Sequence, residues 1–215
     1  MTDVLQQIAA VRVVAIATGV TAENAEPLAD ALVAGGLPVL ELPLREAGSV
    51  KAVAALRDRR DLVLGAGTIL TLDQAKAAVD AGATYLVAPG LDMKIVEWAV
   101  AANVLFFPGV FTGTEITHAY NAGLRVAKFF PAEPGGGITT IKMLAAPFPG
   151  MKFLPTGGIT PEVMHRYLES DLIVAVGQGA MVKKEWIIEK RWNDVTETTR
   201  RVMEIVKATP KPARP

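Results

Sequence analysis

Cysteine is absent from the 215-residue chain, which removes thiolate nucleophiles and disulfides and excludes a small disulfide-stapled secreted domain. Histidine is nearly absent too. Only His118 and His165 occur, both in helix-like segments, so they give a weak basis for zinc and no metal is expected. Neither sign of charge is in excess: Lys plus Arg and Asp plus Glu number 22 each, which leaves no basic field to collect nucleic acid. No stretch approaches the roughly 18 uncharged apolar residues of a membrane-spanning helix. The N-terminal MTDVLQQIAAVRVV carries Asp3 and no basic residue ahead of its apolar run, unlike a secretory signal. Neither nucleic acid nor a membrane is expected as a partner, and a cytoplasmic location follows by default.

What the chain has in quantity is apolar surface to bury. At 51% hydrophobic and 20% charged it suits one well-packed globular domain. Apolar β-rich runs alternate with Ala-rich amphipathic stretches, the pattern of βα units around a parallel sheet. After a short helix near residues 3 to 10, strand-like runs begin at Arg12, Pro38, Leu62, Tyr85, Leu105, Arg125, Lys152 and Leu172. Eight strands, each followed by a helix, fit a single (β/α)8 TIM barrel better than a doubly wound open sheet. Thr21 with Asn24, Thr71 with Asp73 and Gln74, and Thr160-Pro161-Glu162 read as helix starts. The domain is expected to span residues 1–207. The proline- and cation-rich ATPKPARP that follows, residues 208–215, reads as an unstructured tail.

One strand stands out. In RVAKFFPAE, Lys128 sits among Val126, Ala127, Phe129 and Phe130, with no acidic neighbour before Glu133. Apolar surroundings disfavour an ammonium relative to the free amine, the form that attacks carbonyls. A snorkelling lysine at a strand end is the plainer alternative. Barrel chemistry gathers at the C-terminal ends of the strands. Those ends collect Glu41 with Arg45, Thr68 after Gly-Ala-Gly, Pro89-Gly90, Pro108-Gly109, Lys128, Thr156-Gly157-Gly158 and Gly177-Gln178-Gly179. The Glu41 side chain faces either the barrel or the helix layer, and a structural salt bridge with Arg45 is the plainer reading. The glycine turns of the last two strands suit backbone N–H binding of an anion, although each could serve packing alone.

VAKFFPAE, GAGT, FPGV, PTGGI and ALVAGGLPVLELPLR resemble the bacterial 2-keto-3-deoxy-6-phosphogluconate aldolases, also known for 4-hydroxy-2-oxoglutarate aldolase activity. The resemblance runs from about residue 11 to about residue 205, and the lysine strand with its FFPAE continuation is its most specific part. It implies a class I aldolase of (β/α)8 fold, usually a homotrimer, that needs no metal and no other cofactor and serves the Entner-Doudoroff pathway. Matched position by position, Lys128 is the Schiff-base lysine and Glu41 the general acid/base. Arg45, Thr68 and Thr156 bind or orient the 2-keto acid, Phe130 lines the site, and Gly157 and Gly158 form the phosphate-side turn. Pro89, Gly177, Gln178 and Gly179 are also expected to bind substrate.

Two departures mark this chain. Where the family often reads EVTLRT, it has ELPLRE, so Pro43 and Glu46 replace threonines. Where the family often reads GGSW, it has Gly177-Gln178-Gly179-Ala180, which removes a serine hydroxyl from the phosphate side. Gln178 is expected either to donate its amide there or to occupy the space itself. The expected reaction is reversible cleavage of a 4-hydroxy-2-keto acid to pyruvate and an aldehyde, glyceraldehyde 3-phosphate or glyoxylate. Two alternatives stand beside it: a barrel isomerase or epimerase with Glu41 as base and no covalent lysine, and a non-catalytic barrel that binds a phosphorylated ligand.

Overall fold

The computed structural model describes residues 2–46 and 48–210. In chain order the elements are α1 (Thr2–Val11), β1 (Val13–Ile16), α2 (Ala22–Ala34), β2 (Val39–Pro43), α3 (Ser49–Ala55), β3 (Val63–Gly67), α4 (Leu72–Asp80), β4 (Tyr85–Val87), α5 (Met93–Ala101), β5 (Leu105–Phe107) and β6 (Gly109–Val110). They continue as α6 (Gly113–Asn121), β7 (Val126–Phe129), α7 (Gly137–Ala145), β8 (Lys152–Pro155), α8 (Met164–Leu168), β9 (Val176–Gln178), α9 (Lys184–Ile188) and α10 (Trp192–Ala208). None of these helices is long and apolar enough to cross a membrane.

Every strand pairing is parallel, which is why the runs are apolar throughout: a parallel sheet is covered on both faces. All five residues of β2 and of β3 are buried. Two sheets result, one ordered β5-β4-β3-β2-β1-β9 and one ordered β6-β7-β8. Isolated bridges from Phe153 to Ile173 and from Thr156 to Gly177 reach from the second sheet toward β9. The expected parallel α/β architecture is therefore present, but its ladder is not one continuous eight-stranded sheet. The reason lies at Pro108, which has no N–H to donate and interrupts the run from Leu105 to Val110. The part before it pairs with β4, the part after it with β7, and the Pro108 carbonyl accepts from Lys128 N–H at 2.8 Å.

Helix caps fix where the chain leaves the sheet. Asn24 accepts from Thr21 N–H at 2.8 Å before α2, and Thr71 and Gln74 bond reciprocally before α4, as expected. Thr112 and Glu115 do the same before α6. The start read at Thr160 is displaced. Residues 161–163 form a turn whose N–H groups at Val163 and Met164 bond the Thr160 carbonyl, and α8 begins at Met164.

At the opposite end of the strands Arg12 is 6% exposed, with φ at +69°. Its guanidinium donates to the carbonyls of Leu168 and Thr209, and more weakly to those of Pro210 and Val206. It thereby satisfies carbonyls that two helix C-termini would otherwise leave orphaned. This corrects the tail boundary: Ala208 is the last residue of α10, Thr209 is buried, and Arg12 holds Pro210. The rest of the expected tail, 211–215, lies outside the described residues.

Candidate active site

Lys128 is the third residue of β7, flanked by Gly109 on β6 and Leu154 on β8. It is 6% exposed, its Nζ stands 5.1 Å from the centroid of the Phe130 ring, and no carboxylate lies within 4.0 Å of it among the described residues. Phe130 is held in turn by the glycine turn after β8, where a Cβ on Gly157 would come within 3.2 Å of its ring. Glu133 is engaged elsewhere, accepting a short hydrogen bond from Tyr167 Oη.

Glu41 is the third residue of β2 and only 1% exposed. Its room comes from β3. Gly67 lies beside it, and a Cβ there would sit 2.0 Å from Glu41 Oε1; one on Gly65 would sit 2.1 Å from the Tyr85 ring. The glycines of Gly-Ala-Gly thus make space for a carboxylate and a phenol, not a phosphate cradle. Burial raises the Glu41 pKa above its ordinary value, against the weaker opposing fields of Lys128 and Arg45. Glu41 Oε2 has no hydrogen-bond partner in the protein. A buried carboxyl oxygen left unpartnered is costly in a purely structural residue and useful in one that must meet a substrate proton.

Arg45 does not pair with Glu41. Its Nε donates to Thr68 Oγ1 at 3.2 Å, and Thr68 holds φ at +56°, a left-handed conformation uncommon for a β-branched residue. Arg45 also lines a cleft of about 300 Å³ with Ile16, Thr18, Thr156, the Gly157-Gly158 turn, Gly177 and Gly179. Thr156 is buried with Oγ1 unpartnered, and a Cβ on Gly177 would lie 2.3 Å from that oxygen. Gly157 and Gly158 both take positive φ, and among the described residues the N–H groups of Gly158, Ile159, Gly179 and Ala180 meet no protein acceptor. One end of the cleft therefore offers a cation and hydroxyls, the other free backbone donors, an arrangement suited to a molecule with two anionic ends.

Residues 4–198 match the model of the KDPG and KHG aldolase family. The chain belongs to the KDPG and KHG aldolase family. It is 36% identical over 207 residues to the 2-dehydro-3-deoxy-phosphogluconate aldolase of Treponema pallidum, covering 96% of this chain and 99% of that one. The KDPG aldolase of Legionella pneumophila, solved with pyruvate captured as a covalent carbinolamine intermediate, superposes with a TM-score of 0.88 at 34% identity, covering 93% and 98% of the two chains. The 2-keto-3-deoxy-6-phosphogluconate aldolase of Zymomonas mobilis, solved with 3-phosphoglycerate, gives a TM-score of 0.86 at 31% identity over the whole of both chains.

Against that family pattern the departures of this aldolase-family chain can be located. Pro43 stays in register with Gly67 on β3, so the strand that carries Glu41 is undisturbed. Glu46 turns away and pairs with Lys184 at 2.8 Å. Gln178 is corrected: alternation along β9 sends it to the face opposite Gly177, where it is fully buried and its Nε2 contacts Met164 Sδ of α8 at 3.9 Å. It neither donates into the cleft nor fills it. Pro89, like Lys128, Glu41, Thr68 and Phe130, is not among the residues that line the cleft; its backbone closes on Gly109, where a Cβ would meet it at 2.2 Å. The end of β1 was missed, although Ile16 and Thr18 line the cleft. Its signal was available, since RVVAIATG is a strand whose end belongs to the same rim as the others.

Proposed function

We propose that the chain is a class I, Schiff-base aldolase that reversibly cleaves 2-keto-3-deoxy-6-phosphogluconate and 4-hydroxy-2-oxoglutarate to pyruvate and an aldehyde. The observation that supports this reading best is a buried amine with no carboxylate within 4.0 Å among the described residues, whose field nevertheless reaches a buried carboxyl that has an unpartnered oxygen. Lys128 Nζ attacks the C2 carbonyl carbon to give a carbinolamine, which loses water to become an iminium. Glu41 takes the C4 hydroxyl proton, the C3–C4 electron pair flows into the iminium, and the aldehyde leaves. The enamine then takes a proton at C3, and hydrolysis frees pyruvate and the lysine. Arg45, Thr68 and Thr156 hold the keto-acid carboxylate, Phe130 shields the imine, and the turns at Gly157, Gly158, Gly177 and Gly179 receive the far end of the substrate.

The two sheets act as one closed (β/α)8 barrel. Two observations support this reading: Pro108 alone separates β5 from β6, and isolated bridges join Phe153 to Ile173 and Thr156 to Gly177 near the other seam. The working unit is a single domain that runs past the expected boundary at 207 to Pro210, assembled as a cytoplasmic homotrimer in sugar-acid breakdown, as the family resemblance implies. The function is tested by following pyruvate release from both substrates. The wild type is expected to release it, and Lys128→Arg to release none, because a guanidinium stays protonated and cannot form the imine. Turnover retained by Lys128→Arg would contradict the covalent route.

A further inference from the structure

Next to the free N–H groups at Gly179 and Ala180 the chain reaches α9, and the first residue of that helix is Lys184. Its side chain runs over the turn after β1: Cγ, Cδ and Cε would lie 2.9–3.2 Å from a Cβ on Gly19, a residue with φ at +77°. A side chain at Gly19 would block that path. Nζ ends 2.8 Å from Glu46 Oε1, one residue beyond Arg45. The lysine thus spans from the loop after β9 over Gly19 to Glu46, and the chain neighbours of those two residues, Thr18 and Arg45, line the cleft. Lys183 beside it is committed to the Trp186 ring, with Nζ 4.9 Å from its centroid. Both partners of the Lys184–Glu46 pair are 49% exposed, so their mutual hold is weak and can be exchanged for a better anion.

We propose that Lys184 is a specificity-determining residue of this chain: it leaves Glu46 to meet the phosphate ester at the far end of the substrate, and Glu46 competes with that phosphate for it. This rests on the aldolase reading for the identity of the substrate. It assigns to Lys184 part of the anion recognition that the serine missing at Gly179 would otherwise give. A phosphate dianion offers three acceptor oxygens against the two of a carboxylate, and the free N–H groups of Gly158 and Gly179 hold it from the other side, so the exchange favours the substrate. The pair also explains why replacing a threonine by Glu46 is tolerated, since the carboxylate is drawn to the rim and away from the cleft.

The test compares kcat/KM for 2-keto-3-deoxy-6-phosphogluconate and for its unphosphorylated counterpart, which differs only at the far end. Lys184→Gln is expected to lower the value for the phosphorylated acid roughly 3- to 10-fold, the scale of a half-exposed charge-assisted contact, and Lys184→Arg to restore most of it. Glu46→Gln is expected to raise it about 2- to 5-fold by removing the competitor. All three are expected to leave the unphosphorylated acid within about 2-fold of wild type. 4-Hydroxy-2-oxoglutarate is the carboxylate-ended control, and a smaller response with it than with the phosphate is expected. A ratio of phosphorylated to unphosphorylated substrate that is unchanged in Lys184→Gln overturns the proposal, as does an equal effect on both acids. Titration with glycerol 3-phosphate separates this from the aldolase reading, because it needs no turnover. Weaker binding to Lys184→Gln than to wild type supports the proposal even if no substrate is cleaved, and equal binding refutes it.

Discussion

Glu41 is asked to be neutral by its surroundings and ionic by its chemistry. Burial favours the protonated form, and the folded pKa therefore lies above the ordinary value of 4.5. The unfolded chain ionises first as pH rises, so it binds fewer protons than the folded state across that interval, and the stability Glu41 contributes is lost from about 4.5 up through the raised folded value. Glu41→Gln abolishes this loss. Urea unfolding of the two proteins at pH 4 and pH 8 is expected to show the variant gaining on wild type at the higher pH; a constant difference would contradict a raised pKa. The same variant is expected to lose about 10²-fold or more in kcat, the usual contribution of a positioned proton carrier. Near-normal turnover in a folded Glu41→Gln would return the carboxyl to a structural role. Neither its isolation from Arg45 nor its dependence on Gly67 was legible in the sequence. Both are set by how β2 and β3 register, which no local pattern encodes.

At the scale of elements, Arg12 links the start of β1 to the ends of α8 and α10. A lone arginine ahead of a strand carries no sequence signal for this, since its acceptors lie 156 to 198 residues away. Removing it leaves several buried carbonyls without a donor. Arg12→Met is expected to cost about 1.5–3 kcal/mol, the range for hydrogen bonds to a charged group, and to expose the end of α10 to hydrogen exchange. A urea midpoint equal to that of wild type would contradict the clamp. The turn after β9 gives a second prediction. A Cβ on Gly179 meets nothing within 4 Å, so Gly179→Ser fits without strain and places a hydroxyl beside the free N–H groups. A charge-assisted hydrogen bond is worth about 1.5–3 kcal/mol, and the serine should raise kcat/KM selectively for the phosphorylated substrate by roughly 10-fold or more. No change would mean that the phosphate is held elsewhere. The direction of Gln178 was not readable, because strands buried on both faces lack the apolar-polar contrast that tells inside from outside. Gly177, by contrast, shows its face through Thr156.

For the molecule as a whole, the order of strands and helices was legible because parallel strands are near-continuous apolar runs bounded by threonine caps and glycine turns. The break in the ladder was legible in principle, since a proline inside LFFPGV cannot donate. Part of the rim was legible too: once all strands run the same way their C-terminal ends must gather, and Arg45, Thr156 and the turns at Gly157, Gly158, Gly177 and Gly179 line one cleft. Covalent chemistry at Lys128 is the claim on which the rest depends, because an isomerase would use the lysine only as a charge and a binding barrel would not use it at all. Incubating the protein with pyruvate and borohydride and mapping the product by peptide mass spectrometry tests it most directly. One reduced pyruvyl group on the peptide containing Lys128, and none in Lys128→Arg, is the predicted result; labelling of a different lysine, or of none, would contradict it.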